Sequence, residues 1–186
     1  MNTKQKVVSL EQLKTIAANL KKQGKKIVTT NGAFDILHVD HKIVLEESKS
    51  LGDVLIVGIN SDSSIKQYKS TLRPIMPEAQ RAELIAGLAC VDYVAIFPEP
   101  RPMNFLELVK PNIHTKGGDY QDIEKLYETD TVRKNGGEVV LIQHPILQTT
   151  TSIIKSMAEV YWKNFVNSFD NSGEEVEVSE STVIKK

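Results

Sequence analysis

Two histidines three residues apart, His38 and His41, follow a glycine-bearing turn, Asn31-Gly32-Ala33-Phe34-Asp35. Ahead of the turn, the apolar, β-branched run Ile27 to Thr30 reads as a buried strand. Behind it, Lys42 to Ser50 places Ile43, Val44 and Leu45 on one side and Glu46, Glu47 and Lys49 on the other, which reads as a helix. A strand, a turn and a helix N-terminus make a seat for phosphate, because unpaired backbone N–H groups and the helix dipole both favour an anion there. Imidazoles donate hydrogen bonds to phosphate oxygens without being charged. A lone histidine would read as a cap or gap filler. The pair, inside the string Thr29 to His41, points to a phosphate site.

Further groups suited to anions lie downstream. Lys69 and Arg73 fall in a basic loop punctuated by Pro74 and Pro77, and Arg81, one turn into the next helix, is expected to reach the same pocket. In Lys116-Gly117-Gly118-Asp119-Tyr120 the glycines permit close backbone approach to a ligand. There Lys116 can neutralise a phosphate, and Asp119 either orders the loop or holds a metal through water. Gln148-Thr149-Thr150-Thr151-Ser152 combines hydroxyls with a helix start, a second anion seat whose plainer alternative is an ordinary N-cap.

The elements that must position these groups alternate. Ser9-Leu10-Glu11-Gln12 has capping-box spacing and opens a helix carrying Leu13, Ala17 and Leu20, with Gly24 as its stop. Later strands are expected at Asp53–Ile59, Tyr93–Phe97, Asn112–Thr115 and Glu138–Ile142. Helices are expected after Asn60-Ser61, over Glu78–Leu88 with Leu84, Ile85 and Leu88 inward, over Met103–Val109 and Thr129–Asn135, and from Thr151 onward. This alternation gives a parallel sheet with helices on both faces, which binds ligands at the carboxyl ends of its strands where the strand order reverses. There is no G-x-G-x-x-G, which disfavours a dinucleotide-binding oxidoreductase.

Net charge is −1, so no broad nucleic-acid or membrane footprint is expected. The start of the chain lacks the apolar core of a secretory signal. The single cysteine, Cys90, rules out an intrachain disulfide and fits a reducing cytoplasm, and its apolar neighbours suggest an inert thiol.

The string Thr-Asn-Gly-Ala-Phe-Asp-Ile-Leu-His, with His41 following, resembles the HxGH nucleotidylyltransferases, most of all the heptose-1-phosphate nucleotidylyltransferase domain of ADP-heptose synthases and more distantly glycerol-3-phosphate cytidylyltransferase. The loop Lys69 to Ile75 is similar to that family's K-x-x-x-R-P-I segment, Lys116 to Tyr120 to its K-G-G-D-Y, and Thr149 to Ser152 to its hydroxyl motif. The likeness covers most of the chain and is expected to stop near Ala158. It implies a Rossmann-like α/β fold with a five-stranded parallel sheet. It also implies a nucleotidylyltransferase domain over 1–168, helix 9–23 included, followed by an acidic tail, 169–186. The tail is expected to dock as an extended edge or to swap onto a partner.

The activity implied is transfer of a nucleoside monophosphate from ATP or CTP to a sugar phosphate, foremost heptose 1-phosphate, with Mg²⁺ and pyrophosphate release, in a cytoplasmic homodimer. The resemblance assigns His38, His41, Lys69 and Lys116 to catalysis. Ala33, Phe34, Gly117, Asp119, Thr149, Thr150 and Thr151, with the histidines and Lys116, fall to nucleotide binding, and Lys69, Arg73 and Arg81 to the substrate phosphate. In related proteins the heptose-type domain is often fused to a sugar kinase. None is seen in this sequence, so a separate kinase is expected to supply the acceptor.

One position departs from the pattern: the glycine of HxGH is Asp40. At or near the helix N-cap its carboxylate would contribute about 1 kcal/mol. Facing a phosphate ~5 Å away at an effective dielectric of ~20, it would cost roughly 3 kcal/mol. On that arithmetic Asp40→Gly raises turnover or nucleotide affinity, and a loss of both would make Asp40 a working group. Three alternatives stand: an active transferase whose Asp40 points away or holds Mg²⁺, a weakened relative that still binds nucleotide or sugar phosphate, and a scaffolding paralogue.

Overall fold

A computed structural model describes residues 2–118 and 120–170, the side chains of 163–170 excepted. The chain forms two compact units, 1–148 and 149–186. The second contributes helix α8 (Thr150–Asp170), so helix continues past the boundary expected at 168, and the tail 171–186 lies outside the described residues.

In the first unit five strands, β1 (Ile27–Gly32), β2 (Val54–Asn60), β3 (Tyr93–Phe97), β4 (Ile113–Gly117) and β5 (Glu138–Ile142), form one all-parallel sheet in the order β3-β2-β1-β4-β5. β1 pairs with both β2 and β4, so the strand order reverses at β1/β4, the place where such sheets bind ligands. Helices α1 (Thr3–Lys6) and α2 (Leu10–Lys22) precede β1, and the connections between strands carry α3 (Val39–Ser50), α4 (Asp62–Tyr68), α5 (Glu78–Ala86), α6 (Met103–Val109) and α7 (Glu128–Lys134). The inner strands β2, β1 and β4 are buried on both faces over most of their length. Leu13, Ala17, Ile27, Ile56, Phe97, Phe105 and Val132 make one core, and Val28, Leu45, Leu55, Val57, Ile59, Ile85 and Val94 make the other.

The capping box at Ser9 forms, with Ser9 Oγ accepting from Gln12 N–H and Gln12 Oε1 from Ser9 N–H. Ser61 caps α4 through Ser64 N–H. The inward face of α5 differs from expectation. It is Arg81, Ala82, Ile85 and Ala86, while Leu84 is 44% exposed. A fully buried guanidinium takes the core position because every side of it has a partner, as the site shows.

Candidate active site

β1 ends at Gly32, and Phe34 turns the chain with a left-handed backbone, φ +47°. A bulky residue holds that conformation only where its surroundings fix it. Here the Phe34 ring packs into the core beneath β1 and lies 5.1 Å from the His41 ring. His38 is the N-cap of α3, and the His38 and His41 rings stack with centroids 3.7 Å apart and 27° between planes. Both Nδ1 atoms are buried without a hydrogen-bond partner.

The pair is neutral. Burial pushes His41 down to about 4, with the charges of His38 and Lys69 adding to it and Asp40 opposing. Burial also lowers His38, against the pull of the Asp40 carboxylate. Two stacked neutral imidazoles at the mouth of the first strand–helix unit offer directed N–H donors in a partly dry setting. Donors of this kind stabilise a growing oxyanion with little reorganisation.

Lys69 contributes charge to this region, its ammonium lowered by burial and by Arg73. Arg73 is held by Asp35, Nε to Oδ2 at 2.6 Å, and Asp35 Oδ1 accepts from Ile75 N–H at 2.8 Å and Met76 N–H at 2.9 Å. Asp35 is thus the structural anchor that fastens the basic loop to the turn after β1.

Arg81 corrects the expectation that it meets a substrate phosphate. Its side chain is fully buried. Nε donates to Met76 O at 2.9 Å, Nη1 to Ala33 O, and Nη2 to Asn60 O at 2.9 Å and Asp62 Oδ1 at 2.6 Å. It ties the chain after β1, the end of β2 and the basic loop together, and the Ala33 carbonyl is engaged in the same tie. The signal was the helical spacing of Arg81 with Ile85.

Lys116 is 9% exposed and already balanced, donating to Asn31 Oδ1 at 2.9 Å and pairing with Glu128 Oε1 at 2.5 Å. Neither Asn31 nor Glu128 carries a sequence signal that marks it as the partner of Lys116. Gly117 serves packing: a Cβ there would lie 2.2 Å from Val44 Cγ2, so the glycine lets α3 approach β4. Gly118, at φ +115°, turns the chain, and Asp119 lies outside the described residues.

In the second unit, Thr149 caps α8: its Oγ1 accepts from Ser152 N–H and its N–H donates to Ser152 Oγ, both at 3.0 Å. Thr150 and Thr151 form the first turn.

Asp40 stands in the first turn of α3, two residues past the N-cap His38. It is 7% exposed, and its carboxylate turns away from the helix start to the segment after β5, accepting from Leu147 N–H at 3.2 Å and Gln148 N–H at 2.6 Å. His144 Nδ1 lies 3.6 Å away and His38 Nδ1 3.9 Å. Burial pushes the carboxyl up, but the two N–H groups and both histidines outweigh it, so its pKa is lowered and the group stays ionised. The expected repulsion assumed an uncompensated charge, and this charge is compensated by two amides.

The cytidylyltransferase-like family model matches residues 29–185, so the likeness runs well past Ala158. The chain is 44% identical over 156 residues to the bifunctional protein HldE of Geobacter metallireducens, covering 84% of this chain and 32% of that protein. It is 45% identical over 155 residues to HldE of Nitratiruptor sp., covering 83% and 32%. It therefore spans about a third of the length of these curated relatives. A lipopolysaccharide core biosynthesis protein from Thermoplasma volcanium superposes with TM-score 0.58 at 34% identity, over 66% of this chain and all of that one. Pantoate-beta-alanine ligase from Francisella tularensis, TM-score 0.51 at 17% identity over 75% and 68% of the two chains, shares the fold alone. The matched span takes in both the histidine-bearing turn and nearly all of the sheet around it, and the chain belongs to the cytidylyltransferase-like family.

Proposed function

We propose that the chain transfers a nucleoside monophosphate from ATP or CTP to a sugar phosphate, with heptose 1-phosphate the foremost acceptor. An acceptor phosphate oxygen attacks the α-phosphorus, a new P–O bond forms, the bond to the β-phosphate bridge breaks, and pyrophosphate leaves. The nucleophile is already anionic, so the work is alignment and stabilisation of charge. The observation that carries this reading is the stacked, neutral His38–His41 pair at the helix start beside the β1/β4 reversal. The pair donates to the α-phosphate and the leaving group, while Lys69 and Arg73 supply positive charge from the basic loop. Lys116 has one ammonium donor left after Asn31 and Glu128 and can offer it to a phosphate.

The carboxylates described around the pair are committed, Asp35 to Arg73, Asp40 to two amides and Glu128 to Lys116, and no described cluster offers a metal-ligand set. These side chains do not fit a resident ion, so we propose that the triphosphate enters as its Mg²⁺ complex, held through its own oxygens. The heptose acceptor rests on the resemblance to ADP-heptose synthases and on the HldE relatives. A cytoplasmic homodimer is proposed on the same resemblance. No described helix is long and apolar enough to cross a membrane.

The test is pyrophosphate release from ATP and from CTP over a panel of sugar and polyol phosphates that includes heptose 1-phosphate. Release confined to one nucleotide and a heptose phosphate is expected. Absence of release with every pair would overturn the proposal.

A further inference from the structure

We propose that Asp40 is a positioning residue: a built-in anion that latches the segment after β5 to the helix bearing the histidine pair. Consecutive backbone N–H groups pointing the same way form a concavity that binds anions. The N–H groups of Leu147 and Gln148 are such a pair, and the anion in them belongs to the protein itself. The carboxylate reaches across 107 and 108 positions of chain to do this. It is buried, each of its oxygens accepts one amide, and the imidazoles of His38 and His144 flank it.

Glycine at this position, as in the HxGH pattern, offers no acceptor. The segment 143–148 would then be joined to α3 without this tie. Leu147 and Ile146 are 63% and 54% exposed, so apolar burial does little to hold them. The latch therefore supplies order that packing does not. The carboxylate also stands beside His38 Nδ1, so the group that holds the segment borders one ring of the pair. The consequence is opposite in sign to simple charge repulsion: removing the carboxylate weakens nucleotide binding.

The experiment compares full-length wild type, Asp40→Gly and Asp40→Asn by amide hydrogen exchange and by kinetics with ATP and CTP. Loss of a charge-assisted hydrogen bond is worth about a tenfold change. Exchange at Leu147 and Gln148 should rise about tenfold in Asp40→Gly relative to the β1 and β2 amides, which correct for any global loss of stability. Asp40→Asn keeps one acceptor oxygen and should fall between. The KM for the triphosphate should rise about tenfold with kcat within about twofold, a split that a general loss of fold would not give. Unchanged relative exchange at 147–148, or tighter nucleotide binding in both variants, would overturn the proposal. The kinetic arm rests on the nucleotidyl-transfer reading. If wild type releases no pyrophosphate with any substrate pair, that reading fails, while exchange still decides the latch.

Discussion

The mouth of the sheet holds two kinds of polar group. His38 and His41 stack on one another with buried Nδ1 atoms that no protein group satisfies. Arg81 and Lys116 have protein partners: the guanidinium three carbonyls and a carboxylate, the ammonium Asn31 and Glu128. Residue type alone would rank the cations as the phosphate ligands. The geometry gives Arg81 wholly to the frame, leaves Lys116 a single spare donor, and leaves the neutral pair facing the chemistry. The most buried cations of this site are paired, while the histidine pair presents its donors in neutral form.

Breaking the frame should cost the most. Arg81→Ala strips four hydrogen bonds from one buried point, and loss of a partner in a buried ion pair costs about 3–5 kcal/mol. Urea unfolding should show a loss of that size, and Arg81→Lys should recover little of it, since one ammonium cannot span three carbonyls. A variant with wild-type stability and impaired phosphate binding would reverse the roles assigned to the two regions.

The pair should give the mirror image. His38→Ala or His41→Ala should lower kcat by roughly 10²–10³-fold, the loss typical of one oxyanion donor. The unfolding midpoint should change far less than in Arg81→Ala. Equal losses of stability and turnover would merge the two classes.

Acid sharpens the contrast. The folded pKa of His41 lies near 4, below its unfolded value of 6.5, so the unfolded chain takes up a proton first. The stability His41 contributes by staying neutral is fully present above pH 6.5 and is lost as pH falls through 4, about 2 kcal/mol by pH 5. His41→Gln should flatten the stability curve over that window. At the small end, the exposed Lys42–Glu46 pair on the same helix, at 2.7 Å, should change stability by less than about 0.5 kcal/mol when Glu46 becomes Gln.

Much of this was legible in the sequence because it is local. Alternating apolar runs fixed the strands to within two residues, and the spacing of His38 and His41 placed the pair on a helix start. Capping by Ser9 and Ser61 follows the same short-range chemistry. Arg81 facing inward is legible too, in its helical spacing with Ile85. What local spacing does not carry is long-range: Glu128 meeting Lys116 across a loop, and Asp40 meeting Gln148 across most of the chain. No periodicity encodes those meetings, since they depend on which strand ends the sheet order brings together.

The gap beside Gly117 links the two motifs more tightly than their separation in the chain suggests. With a methyl at 117 forbidden by Val44, any drift toward a larger residue there must be answered on the helix, by something smaller than valine at 44. Ser48 and Thr115, joined at 2.7 Å one helical turn and two strand positions away, hold that same spacing. Positions 44 and 117 should therefore have changed in concert through the history of this lineage, a covariation imposed by clearance and not by contact with any substrate.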